Sequence, residues 1–149
     1  EEQSENIQNP IIDKFIGLGP MGGILTAFQS NPNVAWLTVA CDIPLLDFNS
    51  IEILVNSRNP NKLATCYYNS KTNFPEPLIT IWEPKAYPIL LEYMSQGYSC
   101  PRKVLINNDI EMVHLENESI LMNVNKKEEM KSAVDYISKN QSLFYNIII

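Results

Sequence analysis

The residue best placed to do chemistry is Asp42. It closes the apolar run Val34-Ala35-Trp36-Leu37-Thr38-Val39-Ala40-Cys41, and Pro44 stops regular structure two residues later. A continuous apolar run reads as a strand of a parallel sheet covered on both faces, and ligands gather beyond the carboxyl ends of such strands. A carboxylate there is presented rigidly at the sheet rim. The plainer alternative is a carboxylate that caps the turn before Pro44. Just upstream, Gly19-Pro20-Met21-Gly22-Gly23-Ile24 forms a glycine-bearing turn. Glycine allows tight strand–helix packing and also lets a ligand approach the backbone, so both readings stay open for Gly19, Gly22 and Gly23.

Other polar residues carry weaker signals. Asn123 and Asn125 offer amide donors and acceptors near a helix start, and Asn125 can also act as a plain cap. Arg102 and Lys103 form an adjacent cationic pair that a solvated face would also explain. The single histidine, His114, reads as an ordinary strand residue, Tyr67-Tyr68 as sheet packing and Cys41 as a small buried filler. The three cysteines are widely spaced without a C-x-x-C pair, which describes reduced thiols rather than a disulfide or zinc framework. A net charge of -6 argues against a nucleic-acid surface. No run is long enough to span a membrane and none reads as a signal peptide, so a cytoplasmic setting is expected.

The elements that must position these residues follow from periodicity and punctuation. Residues 1–10 are polar and acidic and read as a flexible tail, and 11–149 as one α/β domain. Pro20 suits the first position of a helix running to about Ser30, and the strand at about 34–41 follows. Asp47 or Asn49 caps a helix over about 50–58, whose Ile51, Leu54 and Val55 form a core-facing stripe. Strands are expected at Leu63–Tyr68, Leu78–Trp82 and Ile110–Leu115, with Asn69–Pro75 as a loop and Ile120–Val124 as a short extended piece. A helix opens near Pro84 and ends at Gly97, and Pro88 sits awkwardly inside it. Cys100–Ile106 is a second short helix. Asn125 and Glu128 resemble a capping box for a last helix carrying Met130, Ala133, Val134 and Ile137. The tail Phe144–Ile149 is too apolar to be left in water. Alternating strands and helices define a three-layer α/β/α domain on a mainly parallel sheet.

Five segments, in order, resemble the molybdenum cofactor guanylyltransferases. Gly19-Pro20-Met21-Gly22-Gly23-Ile24 resembles their G-P-x-x-G-[ILM] turn, and Cys41-Asp42-Ile43-Pro44 their C-D-x-P segment. Pro77-Leu78 resembles the step before an apolar strand, and Leu90-Leu91-Glu92-Tyr93-Met94 with Gly97 a helix end. Asn123-Val124-Asn125 with Glu128-Glu129 resembles N-V-N-T-P-E-[ED], with Lys126-Lys127 in place of Thr-Pro. The resemblance implies a nucleotide-diphospho-sugar transferase-like fold and Mg²⁺-dependent transfer of GMP from GTP to molybdopterin, releasing pyrophosphate. It makes Asp42 the metal-binding and catalytic residue. It places Gly19, Pro20, Gly22, Gly23, Asp13, Asn123 and Asn125 against substrate. Beside it, the adjacent Arg102-Lys103 pair suggests that one of the two, with Arg102 taken as the substrate residue, meets the pterin phosphate.

No segment here matches the family's L-x-G-G-x-S-x-R-M-G-x-x-K nucleotide loop. The chain opens on Glu1-Glu2-Gln3-Ser4 without an initiator Met, so it reads as N-terminally incomplete and inactive alone. Two rivals stand beside this reading: a sister enzyme using CTP, and a non-catalytic remnant serving binding or assembly. An uncovered sheet edge would favour a homo-oligomer, and molybdoenzyme maturation partners are a further implication of the resemblance.

Overall fold

A computed structural model describes residues 11–124 and 127–139. The expectations for the 1–10 tail, for Asn125 and for Phe144–Ile149 lie outside the described residues. The elements are α1 (Pro20–Ser30), β1 (Trp36–Val39), α2 (Phe48–Asn56), β2 (Ala64–Asn69), β3 (Phe74–Trp82), α3 (Ala86–Ser95), α4 (Pro101–Ile106), β4 (Glu111–Val113), a 3₁₀ turn at Glu118–Leu121 and α5 (Lys127–Lys139).

Pro20 does open α1, where its missing N–H has no helical partner to lose. Asp47 caps α2, its carboxylate accepting from Ser50 N at 2.8 Å. Pro88 is the third residue of α3, within the turn whose N–H groups have no helical acceptor, so it does not break the helix. Gly97 takes φ 83 just past that helix, as a left-handed terminator should.

The sheet order is β1-β3-β2-β4. β1 pairs antiparallel with β3, β3 antiparallel with β2, and only β2–β4 is parallel. The sheet is therefore mixed, and the expected mainly parallel sheet is corrected. The reason is local. β3 starts at Phe74 rather than Leu78, so only four residues separate it from β2, and two strands joined that tightly must fold back on each other. Asn73, at φ 59, supplies the left-handed residue of this hairpin. Pro75 and Pro77 concealed the first half of β3, because proline reads as a strand breaker.

β1 also departs from expectation. It lies at an edge of the described sheet, with Leu37 and Val39 exposed, so it is not a strand covered on both faces. The run was apolar on both sides as read, but one face meets a cleft.

Two apolar clusters cover the two sheet faces and make three layers. α1, α3 and α4 close one face through Met21, Leu25, Phe28, Leu90, Val104 and Leu105 around Ala64, Cys66 and Trp82. Leu54 of α2 and Ile120 and Leu121 of the 3₁₀ turn close the other around Tyr67, Ile79 and Ile81. Strand alternation explains the division, since Cys66 and Tyr67, or Ile81 and Trp82, must face opposite ways. Full burial of a side chain such as Phe28 stabilises by about 1.5–3 kcal/mol. The helical stripes were only partly right. Leu54 is buried but Val55 is exposed, and in α5 Ala133 is buried while Met130 and Val134 are exposed.

Two ionic contacts tie the layers. Arg58, just after α2, donates to Glu83 at 2.7 and 2.9 Å, and Glu83 is buried at the end of β3. Lys62 meets Asp109 at 2.5 Å, joining the segments before β2 and β4.

Candidate active site

The two polypeptide segments that carry the sequence signals meet at one rim of the sheet. Pairing continues past β1, where Ala40 N donates to Leu78 O at 2.9 Å, and the chain then turns at Cys41-Asp42. Val124 N donates to Asp42 O at 2.9 Å, so the Asn123–Val124 segment pins the backbone of Asp42. The carboxylate is half-buried, and among the described residues its Oδ1 is shielded from solvent without a hydrogen-bond partner. A carboxylate capping a turn through that oxygen would have an N–H on it. Oδ1 is therefore a buried acceptor that no described residue satisfies.

A cleft of about 690 Å³ runs along β1 beside Asp42. Asp13, Pro20 and Gly23 line it with Asp42, together with Leu37, Val39, Cys41 and Leu78. Asp13 is brought in because Lys14 N donates to Thr26 Oγ1 at 3.0 Å, holding that segment over α1. The glycines divide by role. A Cβ on Gly22 would lie 2.4 Å from the Phe15 carbonyl oxygen, so Gly22 serves close packing. A Cβ on Gly23 would lie 3.8 Å from Asp13 Oδ1, an ordinary contact, so Gly23 keeps the cleft wall low. Gly19 has φ 54 and precedes α1 as its cap, a backbone shape that other residues adopt only with strain.

Arg102 and Asn123 are not in this cleft. They line a second cavity of about 310 Å³ with Asn69, Lys71, Glu76, Glu118 and Met122, and Leu78 forms part of both walls. Arg102 Nη2 stands 4.0 Å from Glu76 Oε1, and Arg102 Nε is buried with no hydrogen-bond partner among the described residues. Glu76 is itself buried, and sequence reasoning missed it. The signal was a carboxylate between two prolines, Pro75-Glu76-Pro77, leading into an apolar strand. Lys103 points elsewhere, with its Nζ 3.2 Å above the Tyr98 ring.

The remaining candidates take structural places. His114 lies just past β4 with its ring 5.0 Å from that of Tyr68. Tyr67 is buried and donates to the Ser50 carbonyl, and burial, helped by the charge of Asp47, pushes its hydroxyl up to about 12. Cys66 is no nucleophile, since burial and then the Glu76 charge push its thiol up to about 12. Cys41 is exposed at the cleft, which corrects its expected burial.

No group of three or more His, Cys, Asp or Glu side chains suited to a metal occurs among the described residues. Asp42 and Asp13 line the same cleft, and Mg²⁺ commonly takes only one or two carboxylates, with phosphate oxygens and water as its other ligands, so the donor set present fits that ion. No described helix is long and apolar enough to cross a membrane.

The fold and the paired cavities at the sheet rim define a mixed-sheet α/β domain of nucleotidyltransferase architecture. The crystal structure of molybdopterin-guanine dinucleotide biosynthesis protein A from Archaeoglobus fulgidus shares this fold, with a TM-score of 0.67 and 20% identity over 81% of this chain and 64% of that one. The chain belongs to the family of the MobA-like NTP transferase domain, whose profile matches residues 6–112. It is 34% identical over 119 residues to the molybdenum cofactor biosynthesis bifunctional protein of Synechocystis sp., covering 80% of this chain and 34% of that protein. A "probable molybdenum cofactor guanylyltransferase" of Carboxydothermus hydrogenoformans is 27% identical over 85% of this chain and 66% of its own length. One of the same name from Flavobacterium johnsoniae is 30% identical over 76% and 60%. The chain thus spans a third to two thirds of these relatives.

Proposed function

We propose that this domain takes part in Mg²⁺-dependent transfer of GMP from GTP to molybdopterin. In that reaction a phosphate oxygen of molybdopterin bonds to the α-phosphorus of GTP. The bond from that phosphorus to the bridging oxygen breaks, and pyrophosphate leaves with the electron pair. The observation that carries the reading is the buried Oδ1 of Asp42, in the wall of the larger cleft and without a hydrogen-bond partner among the described residues. The names of the relatives support the same chemistry.

In this reading Asp42 holds the ion through Oδ1, at a position fixed by Val124 N and by the β1–β3 pairing. When bound, Mg²⁺ would neutralise charge on the phosphoryl group in transit. The Asp13, Pro20 and Gly23 cleft takes nucleotide, and the Arg102 and Asn123 cavity takes the pterin side. Because Leu78 is shared by both walls, a dinucleotide product can lie across it. Alignment of the two phosphates then does most of the work, since such transfers need positioning and charge neutralisation more than covalent help. A cytoplasmic setting and association between copies belong to the same proposal.

The test is a transfer assay on the product of the complete reading frame. With molybdopterin and Mg²⁺, GTP should yield a guanine dinucleotide and pyrophosphate. Use of CTP alone would make it the cytidylyl enzyme, and turnover of neither would mark a binding or assembly module.

A further inference from the structure

The second cavity places a carboxylate and a guanidinium side by side in one wall. Glu76 is fixed from the protein side, with Leu78 N donating to Oε1 and Asn69 Nδ2 to Oε2, each at 3.2 Å. Each carboxylate oxygen retains a second acceptor site. Arg102 Nη2, at 4.0 Å from Oε1, is held by charge but too far for a hydrogen bond, and its buried Nε has no acceptor among the described residues. The wall therefore offers two acceptors next to a donor whose partner is missing.

We infer that this pair reads the 2-amino-4-oxopyrimidine edge shared by pterins and guanine, which presents two donors and then an acceptor. Glu76 accepts from the exocyclic amine and the adjacent ring N–H, and Arg102 donates to the exocyclic carbonyl oxygen. The inference rests on the proposed function and adds the residue that selects the base. A phosphate on Arg102 fits less well, because the Glu76 carboxylate would face it across the same short distance. Leu78, Leu121 and Met122 supply apolar surface for the faces of a flat ring. The chain has an alternative use for the pair, a clamp of α4 on β3, and a clamp would not discriminate between bases.

Fluorescence titration of the 149-residue chain with pterin and with 4-oxopteridine, which lacks the amine, tests this directly. Calorimetry with guanosine and inosine repeats the comparison for the other source of the edge. The amine-bearing member of at least one pair should bind roughly tenfold tighter; a preference confined to guanosine keeps this inference and overturns the assignment of the second cavity to the pterin side. In Glu76→Gln that preference should vanish while far-UV circular dichroism is unchanged. Arg102→Met should weaken both members of the pair equally and keep the preference, which decides the matter if Glu76→Gln does not fold. Binding without preference, or a preference that survives Glu76→Gln or changes in Arg102→Met, overturns this inference alone. Failure of the wild-type chain to bind any of the four overturns it together with the assignment of the second cavity to the pterin side.

Discussion

Adjacent glycines in the Gly22-Gly23 pair have opposite duties, and the difference is a few ångströms of free space. A methyl group at Gly22 would push against a backbone carbonyl, which cannot give as a flexible side chain can. Gly22→Ala should therefore cost about 1–3 kcal/mol in a urea melt. Gly23→Ala should leave the melt unchanged within about 0.5 kcal/mol while narrowing the cleft beside Asp13. Equal destabilisation by both would contradict the division. The sequence could not separate the two, since both sit in one glycine turn and only the approach of Phe15 tells them apart. The position of Asp42 at the sheet rim was legible because a carboxylate ending an apolar run is unusual. Glu76 was not, because its flanking prolines pointed to a loop.

At the scale of elements, the sequence marked helix starts well and strand pairing poorly. Pro20 and Asp47 act through their own backbone and side chain, so a local reading finds them. Asp47→Ala should cost about 1 kcal/mol in the same melt, and no loss would mean the Ser50 N–H has another acceptor. Strand direction depends on the loop joining two strands, and the length of that loop was hidden by Pro75 and Pro77 inside β3. Helical faces failed where a residue such as Val55 sits at the border of the stripe, since the sequence does not reveal how wide the covering layer is. The site depends on these pairings: β1 carries Asp42 to the rim, and β3 returns beside it with Glu76 and Leu78.

For the molecule as a whole, the described sheet leaves the outer edge of β1 without a partner strand, and its Trp-Leu-Thr-Val stretch has neither charge nor proline to discourage pairing. The chain should self-associate in light scattering, and Leu37→Lys should shift it towards monomer. A monodisperse wild-type monomer would contradict this. The same edge borders the larger cleft, so association through β1 would narrow access to it. In the proposed function the reaction depends on the Asp42 carboxylate in the wall of that cleft. The most direct measurement is the rate of pyrophosphate release by Asp42→Asn in the product of the complete reading frame, with folding followed by circular dichroism. A metal ligand at Asp42 requires at least about a hundredfold loss in kcat with the fold intact. Release at the wild-type rate would remove Asp42 from the metal site and the proposed mechanism with it.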